Sequence, residues 1–376
     1  MTPLGRELRE RIAATGPLTF KDFMEAALYH PEHGYYASGA IRTGRAGHFM
    51  TSAELDPIYG ELWAGAFEDI WRACGETQDF DVIEVGPGEG GFAAACLASV
   101  SEELGRALRY RLVERVPAVE ARQKARLTGL GNVAWSASLG SCPRVENGLV
   151  FANELLDNLS FHLVEKSGGR LVELVVDVRG PDLALERAPL SSPALSAYLG
   201  DLGVDLPEGH RYEISLDALS MTARAAERVA RGAVIFVDYG DAARDPAPRA
   251  GATMVAHSAA RVDEGVLEDP GERDISAHVN WTAILEVLER TGFATGIERQ
   301  GDVLRALGAR DRDAALADEQ QRAGRDGLGA NMVRALSRRH ALRALLDPGG
   351  LGGLAVATGA RGIDAPRWMK GVAPPG

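Results

Sequence analysis

Cysteine is scarce in this chain: Cys74, Cys96 and Cys142 are its three among 376 residues. They are widely separated, odd in number and without CxxC spacing, which excludes a disulfide framework or a zinc knuckle. A reducing compartment is the expectation, and no metal site is expected. Long hydrophobic runs are missing too. No stretch of about 18 apolar residues occurs, so a membrane-spanning helix is excluded. Met1 to Ile12 carries charges every few residues and no apolar core, so no signal peptide is expected and a cytoplasmic protein is. Positive charge is in deficit, with 41 Lys and Arg against 53 Asp and Glu, a net charge of −12. Nucleic acid and anionic membranes are therefore not expected partners, whereas cationic or neutral ones fit. The eight histidines form no ligand set, since Pro31 and Gly34 make His30 to His33 a turn. No internal repeat is present.

What is there is a regular alternation. The first 75 residues read as helix, then a glycine- and aromatic-rich stretch from His33 to Ser52, then a second helix. Leu62, Trp63, Ala66, Phe67 and Ile70 give that helix an apolar stripe at helical spacing. The stretch between reads as an ordered functional loop, or as a crossing loop packed by its own aromatics. From Phe80 strands alternate with helices. Strands are expected at Asp81 to Val85, Arg109 to Glu114, Asn132 to Trp135 and Gly148 to Asn153, with one helix carrying Phe92, Cys96, Val100 and Leu104 after the first. A hairpin over Phe161 to Val178 turns at Ser167-Gly168-Gly169. Ala233 to Asp238 is a buried fifth strand. Helical segments from Asp302 to Leu346 precede a last strand at Gly353 to Thr358. The pattern predicts an α/β, doubly wound, mostly parallel, Rossmann-like sheet. Its expected divisions are a helical segment over 1–75 closing on a cofactor site and a core over 76–240 with an insertion near 161–210. A substrate-side excursion over 241–350 and a last strand with a disordered tail over 351–376 follow.

Gly86, Gly88 and Gly91 follow the first strand with the spacing of a dinucleotide loop, and Glu114 ends the next strand. Charge decides between ligands. Glu84 and Glu89 flank the loop and would repel a pyrophosphate, whereas S-adenosylmethionine carries a sulfonium and an ammonium and no phosphate. Glu114 would accept from the two ribose hydroxyls. Candidate donor-binding residues are Glu84, Gly86, Pro87, Gly88, Gly90, Glu114 and Arg115, with Asn153, Tyr36 and Thr51. This reads as a class I methyltransferase.

Beyond the fourth strand, Glu154 and Asp157 would share one face if the chain turns helical there. Asp238 ends the fifth strand on the same sheet edge, and Glu213 could come near. A crevice lined by Glu154, Asp157 and Asp238 would suit a cationic acceptor such as a guanidinium. The alternatives are a helix cap for Asp157 and a capped turn for Asp238. His278 could be a base or a pocket lining, or a polar packing residue.

Several segments together carry a family likeness. They are Leu28 to Tyr36, Phe49 to Glu54, Glu84 to Gly88, Ala152 to Asp157, Val237 to Gly240 and Asp274 to Val279. In this order they resemble the MidA-like methyltransferases, which include a mitochondrial complex I assembly factor acting as a protein arginine methyltransferase. The resemblance implies S-adenosylmethionine as donor and, for some members, symmetric methylation of a protein arginine. The chain departs from the family pattern at His48, at Ala53, at Asn158-Leu159-Ser160 and at Asn280-Trp281, positions that cluster where an acceptor would sit. Three functions are therefore carried forward. One is N-methylation of a cationic acceptor such as a protein arginine. Others are methylation of a small molecule or peptide, and a silent cofactor-binding assembly factor. The partners expected are the methyl acceptor and a second copy of the chain in a homodimer.

Overall fold

The computed structural model describes residues 1–37, 51–242, 253–258 and 262–369. Three helices open the chain: α1 (Pro3–Thr15), α2 (Phe20–Tyr29) and, after the short turn of helix Ser52–Leu55, α3 (Ile58–Ala73). Thr2 caps α1 by accepting from the Gly5 N–H, and Thr19 caps α2 by accepting from Asp22, which satisfies donors that a helix start leaves orphaned.

Seven strands make the central sheet: β1 (Phe80–Val85), β2 (Leu108–Val113), β3 (Val133–Ser136), β4 (Gly148–Asn153), β5 (Gly232–Asp238), β6 (Ala294–Arg299) and β7 (Ala355–Arg361). Their order across the sheet is β6-β7-β5-β4-β1-β2-β3. β7 runs antiparallel to both β5 and β6, and the other pairings are parallel. The chain winds outward from β1 in one direction and from β4 in the other. Their carboxyl ends therefore open a crevice at the point where the order reverses.

Each face of the sheet buries an apolar layer. On one, the expected stripe of α3 packs with Phe92 and Phe151, whose rings stack at 4.7 Å. The other face is covered by Ala225, Val229, Ile284 and Leu288. The hairpin forms as expected, between strands His162–Ser167 and Arg170–Arg179. Gly168 and Gly169 turn it with φ of 58° and 73°, a conformation that glycine adopts without strain and that matches strand twist. Asp182–Ala188, Arg211–Ile214 and Leu18–Thr19 complete this second sheet.

Three expectations change. The helix carrying Phe92 through Leu104 is two, Gly91–Leu97 and Glu102–Ala107, because Ser101 caps the second by accepting from Leu104. The helical segments expected over 302–346 do form, as three helices separated at Gly308 and Gly327, both at positive φ. The first 75 residues divide: α1 and α2 pack on the second sheet, α3 on the central one. β6 belongs to the central sheet although it falls inside the expected excursion. The expected disordered tail lies largely outside the described residues.

Candidate active site

At the switch point lies a cavity of about 490 Å³. One rim is the loop after β1. Gly86, Gly88 and Gly90 turn it with φ of 68°, 52° and 76°, and a Cβ on Gly86 would lie 2.8 Å from Leu155 Cδ1. Bare backbone thus faces the cavity at Gly86 and Gly88. Gly90 shapes the turn behind them, with Gln123 Cγ 3.5 Å from where its Cβ would be.

Glu84 sits at the cavity wall, where burial pushes its carboxyl up to about 7 while the Tyr110 hydroxyl donates to Oε2 at 2.7 Å. Glu89 is bound twice by the Arg122 guanidinium, at 2.8 Å each. Its charge is therefore compensated, and the repulsion expected of this loop is weaker than the bare sequence implies. Glu114 borders the cavity from the end of β2. Its Oε1 accepts from Val116 N–H at 2.8 Å and its Oε2 from Gln123 Nε2 at 3.1 Å, leaving lone pairs for a ligand. Arg115 pairs with Glu25 and lies over the Tyr29 ring at 3.9 Å. Tyr29 stacks in turn on Tyr36, whose hydroxyl contacts Asn158 Oδ1 and Asp274 Oδ2 at 3.2 and 3.0 Å. Tyr36, Thr51 and Ala53 all face the cavity.

The opposite rim follows β4. The expected helix is absent: Glu154 takes a left-handed φ of 48°, and only a 3-10 turn, Leu156–Asn158, follows. Asp238 binds this turn. Its Oδ2 collects the N–H groups of Leu155, Leu156 and Asp157 at 3.0, 2.8 and 3.2 Å, and its Oδ1 takes that of Tyr239. Three backbone donors that a chain turning here would otherwise leave unpaired are thus satisfied by one oxygen. Asp238 is buried and does not face the cavity, so it corrects the expected catalytic role to that of a capped turn.

Glu154 and Asp157 consequently part company. Glu154 lines the cavity; Asp157 borders a separate pocket of about 30 Å³ together with Glu213 and His278. His278 is half-exposed and holds Asp241 at 2.8 Å, the geometry of a surface pair and not of a base in the crevice. Burial, with Asp238 beside it, pushes the Asp157 carboxyl well up, and among the described residues no partner reaches its Oδ1. Of the two acids Asp157 keeps the proton, because Asp238 has four N–H donors to stabilise its charge.

The Glu154 carboxylate is held from one side only. Oε1 accepts from Ser52 N–H at 2.7 Å and from Asn153 Nδ2 at 3.1 Å. Oε2 is buried and has no partner among the described residues. Burial pushes the group up to about 7. Of the departures from the family pattern, Asn158 donates to Asp274 and the Ile275 carbonyl, and Asn280 caps helix Trp281–Arg290. His48 lies outside the described residues.

Residues 62–298 match the family of S-adenosyl-L-methionine-dependent methyltransferases. This chain belongs to that family. Among relatives of this methyltransferase, a mitochondrial protein of Rattus norvegicus named protein arginine methyltransferase NDUFAF7 is 27% identical over 365 residues, covering 89% of this chain and 80% of the relative. The Homo sapiens protein of that name is 27% identical over 85% of this chain and 76% of its own length. A crystal structure from Burkholderia thailandensis, bound to S-adenosyl-homocysteine, superposes with a TM-score of 0.82 at 28% identity, covering 96% of this chain and 92% of that one. The MidA-like resemblance and the class I fold hold. These relatives carry mitochondrial names, which overturns the expectation of a cytoplasmic protein drawn from the unremarkable N-terminus.

The site of this methyltransferase fits S-adenosylmethionine on its own geometry. Bare glycine backbone opens onto the cavity, a carboxylate ends β2, and a buried carboxylate oxygen on the far rim awaits a donor or cation. Sequence reasoning missed Gln123, Ser52, Tyr59 and Gln300, all fully buried. Gln123 bonds the Gly88 carbonyl, Glu114 and Trp135 at once. Only its position on the buried side of helix Pro117–Arg126 hinted at this, and helical spacing alone assigns no bonding partner.

Proposed function

We propose that this methyltransferase methylates the ω-nitrogen of an arginine in a protein. The observation that carries this reading is Glu154, which lines the cavity on the rim opposite the glycine loop and whose buried Oε2 has no hydrogen-bond partner among the described residues. A buried carboxylate oxygen without a donor is costly, and a guanidinium N–H supplies both charge and hydrogen bond. The names of the relatives, protein arginine methyltransferases in rat and human, support it.

On this reading the Gly86–Gly88 backbone and Glu114 hold S-adenosylmethionine, which supplies an electrophilic methyl group and leaves as S-adenosylhomocysteine. Thr51, Ala53 and the Tyr29–Tyr36 stack wall the cavity from the N-terminal side. Ser52 and Asn153 fix Glu154 through Oε1. Its Oε2 receives the guanidinium N–H, orients that nitrogen and takes up the proton it loses on methylation. A carboxyl whose ordinary value has been raised to about 7 is matched to that transfer near neutral pH.

Glu154→Gln tests this with labelled donor and arginine-containing protein or peptide. Turnover is expected to fall by about 100-fold or more, with donor affinity by calorimetry within about threefold and the wild-type label on arginine Nω by mass spectrometry. Retained turnover, or label on oxygen, carbon or lysine, would overturn the assignment.

A further inference from the structure

Glu154 holds an unfavourable left-handed backbone and a one-sided carboxylate, and such a conformation persists only when its surroundings over-determine it. Those surroundings form a buried chain of hydrogen bonds from three distant segments. Gln300 begins the helix after β6. Its Nε2 donates to Ser52 Oγ at 3.1 Å and to the Leu351 carbonyl at 2.8 Å. With its nitrogen so committed, its Oε1 faces the Tyr59 hydroxyl at 2.8 Å. On the other side of that hydroxyl lies Asn153 Oδ1 at 2.6 Å, turned there because Asn153 Nδ2 is spent on Glu154 Oε1.

Ser52, Tyr59 and Gln300 are all 0% exposed, and all three lie outside residues 62–298, the part matching the family. Each of the two N–H donors on Glu154 Oε1 is thus carried by a residue that Tyr59 or Gln300 holds. Ser52 presents its backbone while Gln300 grips its hydroxyl. Asn153 presents its amide while Tyr59 fixes the amide's rotation. The single Tyr59 proton lies between two acceptors, so the amide orientations of Asn153 and Gln300 are set together.

We propose that Tyr59 and Gln300 are positioning residues for methyl transfer, acting through Asn153 and Ser52 to keep Glu154 Oε1 engaged and Oε2 turned to the acceptor. This rests on the reading that Glu154 receives the acceptor. Loosening either end lets the carboxylate rotate and lose a donor to its charged form, which both misplaces Oε2 and makes the group harder to ionise.

Tyr59→Phe is the main test, because the ring keeps its packing against Phe92 and Trp63. Gln300→Met is the second variant. Each is expected to lower kcat/KM for the acceptor by about tenfold and to move the acidic limb of its pH profile upward, with donor affinity within about threefold. A lowered Tm alone, with wild-type kcat/KM and an unmoved acidic limb, overturns the proposal, since loss of packing does not shift a titration. Glu154→Gln measured in parallel separates the two ideas. If it keeps full turnover, the role of Glu154 fails and this inference with it. If it is inactive while Tyr59→Phe and Gln300→Met behave as wild type, the positioning inference alone fails.

Discussion

The two rims of the cavity use opposite materials. Around Gly86 to Gly88 the wall is largely main chain, with Pro87 the one side chain between the two glycines, and Arg122 compensates the charge of the adjoining Glu89. Beyond β4 and β5 the wall is backed by carboxyl groups crowded into the interior, Glu154, Asp157, Asp238 and Asp274, all buried. A rim of backbone fixes a ligand by shape and by hydrogen bonds whose direction cannot change, and it tolerates no added atom. A rim of buried acids is set by solvation and by which neighbour donates to which oxygen, so four similar residues come to play different parts. Asp238 is consumed by the turn it caps, Asp274 by Tyr36 and Asn158, and Asp157 by its proton. Glu154 alone of the four faces the cavity.

The sharpest way to break this contrast is to put a side chain on the backbone rim. Gly86→Val adds a Cβ 2.8 Å from Leu155 at a φ of 68°, where a β-branched residue is strained as well. Donor binding is expected to fall by roughly 100-fold or more by calorimetry, the loss of nearly 3 kcal/mol of binding. Binding within a few-fold of wild type would show that the loop does not carry the donor.

On the acidic rim, Asp238→Ala removes the acceptor for four N–H groups. Leaving buried donors unpaired costs about 1–3 kcal/mol each where water cannot reach them, so denaturant unfolding is expected to show a loss of about 3 kcal/mol. Asp238→Asn, which keeps an acceptor oxygen, should lose less. A fall in activity with unchanged stability would restore a catalytic role to Asp238.

The smallest effect concerns pH. Burial raises Glu84, Glu154 and Asp274 to about 7, against about 4 in an unfolded chain. Between those values the unfolded state ionises and the folded state does not. Stability is therefore greatest below the unfolded value and is lost as pH rises through about 7. For the ligand-free protein, Tm is expected to be several degrees higher near pH 5.5 than near pH 8, since the shift of about 2–4 °C per kcal/mol in chains of about 150–250 residues is smaller in a longer one. A Tm that rises over this interval would mean that the buried acids are ionised throughout.

Much of the donor side is legible in the sequence because it is local. Strand, glycines and helix follow one another within a dozen residues, and Glu114 lies at the end of the next strand, where parallel winding must bring it alongside. The chain spacing determines the neighbours. The acidic rim is different in kind. Nothing local distinguishes Glu154 from Asp157 or Asp238, and helical spacing suggested a shared face that the left-handed Glu154 backbone and the 3-10 turn after it do not provide. The same limit explains Phe92 to Leu104, where Ser101 offers a capping oxygen that periodicity ignores, and His278, offered as a base or pocket lining and placed by the fold on the surface with Asp241.

By itself, then, the sequence determined the class of fold, the donor loop and the carboxylate after β2, because these depend on periodicity and on short-range turn chemistry. Tertiary structure alone decided which acid faces the cavity and what holds it there. The contacts that decide it, Ser52 to Glu154, Tyr59 to Asn153 and Gln300 to both Ser52 and Tyr59, join residues between 94 and 248 positions apart. Their strength comes from exclusion of water, which exists only once those segments have packed together.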